Sequence, residues 1–201
     1  MNTLTIDRST DVSSLAWTGA DGAVEAKTLE GTDGRSGRWA AEVEAFLAGR
    51  RPDRIVVGTG PGSFAGIRAA LAFAQGYAIG SGCSVEGLPS ACAFAKAEGP
   101  LAVVGDARRG MYWIALFDGR HLVTDVFETD AETLPKRVPL GVPVTTPDAK
   151  RIDAFLKETF ADAYVGGATP TAAGLVAFFA ADPGILKREP LPIYLNPAVR
   201  D

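Results

Sequence analysis

Residues 54–82 read R-I-V-V-G-T-G-P-G-S-F-A-G-I-R-A-A-L-A-F-A-Q-G-Y-A-I-G-S-G. Ile55, Val56 and Val57 form a short β-branched apolar run, the signature of a buried strand. Residues 58–66 are a glycine-rich turn holding one proline and one serine. From Ile67 the period changes to that of a helix. Ile67, Leu71, Ala74 and Ala78 share one stripe. Gly66, Ala69, Phe73, Gly76 and Gly80 share a second stripe that is almost bare of side chain. A helix with two usable faces can lie on its own sheet and still admit another helix closely. Glycine inside a helix costs about 1 kcal/mol relative to alanine, so Gly76 is expected where something approaches the backbone. Ser63 is the natural N-cap of this helix.

Outward from this unit, residues 4–7, 12–17 and 23–29 read as strands, the last two joined by a turn at Ala20-Asp21-Gly22. Residues 30–37 are polar and glycine-rich, a loop in which Ser36 can cap a helix. Trp39, Val43, Phe46 and Leu47 give that helix its apolar stripe, and Gly49 and Pro52 end it. Beyond the central helix, Val85 centres a strand and Ser90 is placed to cap a helix over 91–97. The break Glu98-Gly99-Pro100 suggests a lobe boundary, giving lobes 1–98 and 99–201, with the C-terminal tail returning to the first. In the second lobe, 101–105 and 111–117 are strands joined by the hairpin D-A-R-R-G. A strand over 121–128, a short helix over 131–134 and a helix over 148–159 are expected next. A strand over 161–165 follows, and then a Thr171-capped helix burying Leu175, Val176, Phe178 and Phe179. The proline-rich tail is extended. No internal repeat is visible.

The composition excludes several classes. The 201 residues are 47% hydrophobic, enough for a core, and carry a formal charge of −4, so no global basic footprint exists for nucleic acid. One histidine and two cysteines, Cys83 and Cys92 in apolar surroundings, do not make a zinc site or a disulfide framework. The N-terminus has no basic segment and long apolar run of a secretory leader. No window reaches the ~18 apolar residues of a membrane helix. A cytoplasmic, membrane-free protein is expected.

The glycine turn invites three chemical readings. It lacks the Lys-Ser or Lys-Thr of a phosphate-binding P-loop. Gly60-Pro61-Gly62-Ser63-Phe64-Ala65 formally fits G-x-G-x-x-A, but Phe64 would crowd a pyrophosphate and Pro61 lacks a donor N–H. Ser63 does not sit in a G-x-S-x-G elbow, and His121 is the only candidate base. The alternative to all three is a sharp strand-to-helix turn that needs glycine. Asp7, Asp11 and Asp106 stand at strand ends, as Mg²⁺ ligands or as turn residues. Arg108 and Arg109, beside Asp106, make a charged hairpin tip, either solvated or a contact for RNA or a partner.

Five blocks in order carry a resemblance: I-D-R-S-T, then V-G-T-G-P-G-S-F-A-G-I-R-A-A-L-A-F-A-Q-G-Y-A, E-G-L-P-S, V-V-G-D-A-R-R-G-M-Y-W and L-P-I-Y-L. Together they resemble the TsaB (YeaZ) family, covering nearly the whole chain. The resemblance implies the fold of the actin-like ATPases: two ribonuclease-H-like α/β lobes, the second reduced. It implies a non-catalytic subunit of the bacterial threonylcarbamoyladenosine (t6A) machinery. That subunit pairs with the catalytic paralogue TsaD, which modifies adenine 37 of tRNAs reading codons that start with A. The ATPase TsaE joins the assembly. The resemblance further implies no cofactor in this subunit alone, ATP used by the wider complex, tRNA met only through the complex, and a homodimer in isolation. Gly60, Pro61, Gly62, Ser63, Phe64, Gly66 and Arg68 match the family turn; Asp106, Ala107, Arg108 and Gly110 match its D-A-R-x-G hairpin. The expected partner surface is Gly66, Ala69, Phe73, Gly76 and Gly80, with Trp39, Val43 and Phe46 alongside.

Departures from the pattern are also legible. D-R-S-T stands where actin-like ATPases have D-x-G-T, with Arg8 after Asp7. The paralogue's metal-binding H-x-x-x-H is missing from G-R-W-A-A-E-V-E. Arg35 and Ser36 replace a histidine-serine, and Met111 a glutamate. The rival readings are a nucleotide-dependent actin-fold enzyme or glycoprotease-like peptidase, and a free-standing RNA-binding module, which the acidic charge opposes.

Overall fold

The structure is a computed structural model that describes residues 1–29, 38–188 and 190–195. The loop over 30–37, with the expected cap Ser36, lies outside the described residues. The chain divides into two units, Met1–Ala93 with Pro170–Ile193, and Phe94–Thr169 with Tyr194–Asp201.

In the first unit, β1 (Thr3–Asp7), β2 (Ser13–Thr18) and β3 (Val24–Leu29) form an antiparallel meander. Then α1 (Arg38–Leu47) leads to β4 (Arg54–Gly58), which pairs parallel to β1. The central helix α2 (Phe64–Ser81) leads to β5 (Ser84–Leu88), parallel to β4. β1 and β4 are flanked on both sides, which is why both are almost wholly buried. Leu4, Ile6, Leu15, Ile55 and Val57 point to one face of the sheet, where they meet Trp39, Val43 and Phe46 of α1 and Ile67, Ala70, Leu71 and Ala74 of α2.

The second unit opens with the long hairpin of β6 (Pro100–Arg108) and β7 (Met111–Asp118). β8 (His121–Leu122) and β9 (Phe127–Asp130) both pair with β7, at opposite ends of it. After α3 (Leu134–Arg137), β10 (Val144–Thr146) joins β6 in parallel. α4 (Ala149–Phe160) and β11 (Tyr164–Gly167), parallel to β10, complete the unit. Its core is Ala102, Val104, Ile114, Leu134, Val144, Ile152 and Leu156. The order β3-β2-β1-β4-β5 of the first sheet recurs in the second as β8-β7-β6-β10-β11, with the same parallel and antiparallel neighbours. This is the expected two-lobe, ribonuclease-H-like α/β arrangement, a repeat of topology that the residues themselves do not display.

The chain then returns to the first unit. α5 (Ala172–Ala181) packs on β1 and β2, and β12 (Lys187–Arg188) adds to the free edge of β5. α5 lies on the face opposite α1 and α2. There the Ala172 N–H donates to Ser14 Oγ at 2.7 Å, and the Arg54 guanidinium sits 5.3 Å from the Phe179 ring centre.

Four expectations are corrected. The division falls at 93/94 rather than 98/99, and Pro170–Ile193, with the whole of α5, belongs to the first unit. The helix expected over 91–97 is a 3-10 turn, Ser90–Phe94, because the Ser90 hydroxyl accepts from the Gly60 N–H instead of capping. The single strand expected over 121–128 is two, since residues 123–126 carry the chain from one end of β7 to the other. The short helix begins at Leu134, not 131, with Pro135 in the first turn, where no N–H is needed.

Candidate functional site

The glycine turn is shaped by the end of β1. The Ser63 N–H donates to the Ser9 carbonyl at 2.7 Å, and the Gly60 N–H donates to Ser90 Oγ at 3.0 Å. A side chain at Gly62 would strike the Ser9 carbonyl, one at Gly66 the Arg8 carbonyl, and one at Gly58 the Asp7 carboxylate. Gly60 has φ +94°, in the left-handed region. Close packing within the chain and the left-handed turn thus account for these glycines. Ser63 Oγ accepts from the Gly66 N–H at 3.2 Å, an N-cap as expected.

Asp7 is fully buried beneath this turn. Oδ1 accepts from the Ser9 N–H at 3.0 Å and the Ser9 hydroxyl at 2.7 Å. Oδ2 makes no well-formed hydrogen bond among the described residues, and the Ser90 hydroxyl is its polar neighbour. Burial pushes the carboxyl above its usual range, and Ser90 and Ser9 only partly offset it. The folded chain therefore binds this proton more tightly than the unfolded chain, so the contribution to stability is largest in acid and is lost as pH rises through the folded value. Asp7→Asn keeps the Oδ1 contacts and adds a donor towards Ser90. It should melt at higher temperature than the parent at pH 7, with the gap closing towards pH 4. A gap independent of pH would show that Asp7 does not titrate in this way.

The exposed face of α2 is the larger feature. Ile67, Ala70, Leu71 and Ala74 are buried, whereas Ala65, Arg68, Ala72, Gln75, Gly76, Ile79 and Gly80 face solvent. Ala69 and Phe73 lie between, half-buried. Phe73 is braced by Trp39 of α1, edge to face with ring centres 5.4 Å apart, and Trp39 Nε1 donates to Ser13 Oγ at 2.9 Å. A Cβ at Gly76 or Gly80 would meet nothing within 4 Å. These two glycines instead border an open depression of about 740 Å³, lined also by Pro52, Asp53, Tyr77 and Cys83. Ile79 stands 89% exposed beside them. At the other end, the Arg68 guanidinium covers the exposed Phe64 ring at 4.9 Å.

Two sequence-based assignments change here. Trp39, Val43 and Phe46 are at most 6% exposed, so they support the surface from behind and do not form it. α1 must use its apolar stripe to cover the sheet. Gly66 is likewise buried, against the Arg8 carbonyl. Conversely Ala65, Ala72 and Ile79 were missed. Their spacing of seven, with Ala69 and Gly76 four residues after the first two, is the seam pattern that points to them.

In the second unit the D-A-R-R-G hairpin ends in consecutive left-handed residues, Arg108 (φ +71°), Arg109 (φ +54°) and Gly110 (φ +76°). Asp106 Oδ1 accepts from the Arg108 N–H at 2.8 Å. The Asp106 N–H donates to Asp148 Oδ2 at 2.9 Å, and Arg151 bridges both carboxylates. Burial raises the Asp148 carboxyl despite Arg151. Cys83 and Cys92 are free, and burial pushes the Cys92 thiol well above its usual range. His121 is exposed on β8. Among the described residues no group of His, Cys, Asp and Glu could hold a metal ion, and no helix is long and apolar enough to cross a membrane.

The family model TsaD, tRNA N6-adenosine threonylcarbamoyltransferase, matches residues 43–170, which include α2 and the arginine hairpin. Uncharacterized proteins of Mycobacterium bovis and Mycobacterium tuberculosis are 38% identical over 98 residues, 48% of this chain and 46% of theirs. The matched stretch thus spans about half the length of those relatives. Among solved structures, YeaZ from Pseudomonas aeruginosa superposes with a TM-score of 0.76 at 21% identity, covering 96% of this chain and 100% of that one. A protein described as similar to peptidase YeaZ, from the same organism, superposes with a TM-score of 0.74 at 20% identity, covering 97% and 99%.

Proposed function

The chain belongs to the TsaD family, that of tRNA N6-adenosine threonylcarbamoyltransferase, and has the fold of YeaZ; from this premise we propose that it is the TsaB-type scaffold subunit of a t6A complex. It docks a catalytic TsaD paralogue on the exposed face of α2 and supports transfer of the threonylcarbamoyl group to N6 of adenine 37. The ATPase TsaE and the tRNA join through the assembly, ATP is used there, and this subunit breaks no bond itself. In isolation the same face closes on a second copy of the chain, in the cytoplasm as in the assay tube.

One observation carries the reading. An 18-residue helix, about 27 Å long, shows solvent a strip of alanine, glycine and one bare isoleucine, flanked by Arg68 and Gln75 and beside an open depression. Small residues let helix backbones approach closely, and exposed apolar strips of this kind mark interaction surfaces. The chemistry of the turn agrees. Gly62 and Gly66 are pressed by the chain's own carbonyls, Ser63 is a cap, and a single histidine cannot supply H-x-x-x-H.

Reconstitution tests the proposal. tRNA threonylcarbamoylation by the purified paralogue should need this chain, and the two should co-elute. Modification at the same rate without the chain would end the scaffold reading, and modification by the chain alone would replace it with an enzymatic one.

A further inference from the structure

The arginine hairpin of the second unit is not used by the docking face. We propose that its tip, Arg108 and Arg109, contacts the phosphate backbone of the tRNA on which the complex works. The inference rests on the t6A reading for the identity of the polyanion and on the second unit's own geometry for the contact.

Two adjacent non-glycine residues hold left-handed backbone at the tip. That conformation is disfavoured for any residue with a Cβ, and a solvated turn has no need of arginine in it. The tip is held from behind. Asp106 accepts the Arg108 N–H, and Arg151 bridges Asp106 and Asp148, which in turn accepts from the Asp106 N–H. The two carboxylates are turned inwards, with side chains only 14% and 15% exposed; Arg108 Nη1 lies 3.4 Å from Asp106 Oδ2, yet the Arg108 side chain is 65% exposed, so its outer N–H donors stay in solvent. Arg109 is exposed beside it. Arg108, Arg109 and Arg151 outnumber Asp106 and Asp148, so this group is net cationic although the chain as a whole carries −4. A polyanion can approach an acidic protein only at such a point, and guanidinium is the group that grips phosphate through paired N–H donors. The tip is a projecting turn, which suits an extended backbone rather than a small anion that needs enclosure.

The test uses the complex of the full chain with its paralogue. In a variant carrying Arg108→Gly and Arg109→Gly, glycine takes positive φ freely, so the hairpin keeps its shape while both charges go. Co-elution is checked first. If the parent chain does not pair, the t6A reading fails and this inference with it. If both pair, tRNA binding is followed from about 50 to 200 mM salt. The glycine variant should bind roughly tenfold more weakly at the low end, and its log–log salt slope should fall by about 1.5–2. The corresponding double lysine variant should keep most of that slope. Unchanged affinity and slope in the glycine variant overturn this inference alone. Unchanged tRNA binding with loss of a protein subunit overturns it too, and reassigns the tip to a protein contact.

Discussion

Gly66→Ala should destabilise the chain, and Gly76→Ala, ten positions along the same helix, should stabilise it. Helix propensity treats the two alike, favouring alanine by about 1 kcal/mol at each. The surroundings do not. A methyl at Gly66 overlaps the Arg8 carbonyl, and that carbonyl has nowhere to go. Arg8 follows directly on β1, which is paired on both sides by β2 and β4, and the next carbonyl, Ser9, accepts the Ser63 N–H. Backbone displacement of this kind costs about 3 kcal/mol. After the propensity gain, a net loss of about 2 kcal/mol remains, or roughly 4–8 °C in melting temperature for a chain of this size. At Gly76 a methyl meets nothing, so only the propensity gain is left, about 0.5–1 kcal/mol. Thermal and urea unfolding of both variants would check this. Shifts of the same sign would mean that β1 does not press on the helix as described.

Ile79→Glu should leave the fold intact and abolish pairing with the paralogue. The side chain is 89% exposed, so its loss removes no core contact, and surface changes of this sort stay within about 0.5 kcal/mol. Docked, the isoleucine would bury its full surface, worth about 1.5–3 kcal/mol. The replacement carboxylate would have to be desolvated, at a further cost of several kcal/mol. Even ~3 kcal/mol in total weakens binding more than 100-fold. The same variant should make the isolated chain monomeric if the homodimer uses this face, whereas Ile79→Leu should behave as the parent in both respects. Titration calorimetry with the paralogue and sizing of the isolated chain read these outcomes. Full-strength pairing by the glutamate variant would move the docking surface elsewhere.

These two predictions draw on different kinds of information. Gly76 and Gly80 were legible as a bare stripe from their spacing, and so was the Ser63 cap. Gly66 stood in the same stripe, yet it is buried, because only the path of β1 brings Arg8 over it. Trp39, Val43 and Phe46 looked like neighbours of the docking face and are core residues. An apolar stripe announces that it will be covered without saying by what. Ile79 belongs to neither stripe; the spacing of seven with Ala65 and Ala72 marks its position, and its 89% exposure shows that nothing in the chain covers it. The same holds for α5. Its capping Thr171 and buried phenylalanines were readable, but an almost uniformly apolar helix fits either sheet, and the choice of the first lobe depends on contacts with Ser14 and Arg54.

From the residues alone came the strand, glycine turn and helix at the centre, the lack of a histidine pair, the arginine hairpin and the motifs that pointed to a family. These are local signals, set by backbone preference and by spacing along a few turns of chain. The tertiary structure alone decided which glycines are pressed by backbone and which stand open, which apolar side chains remain in water, and that two sheets of unlike sequence share one strand order. Those properties depend on groups far apart in the chain brought within a few ångströms, and no local pattern encodes such distances.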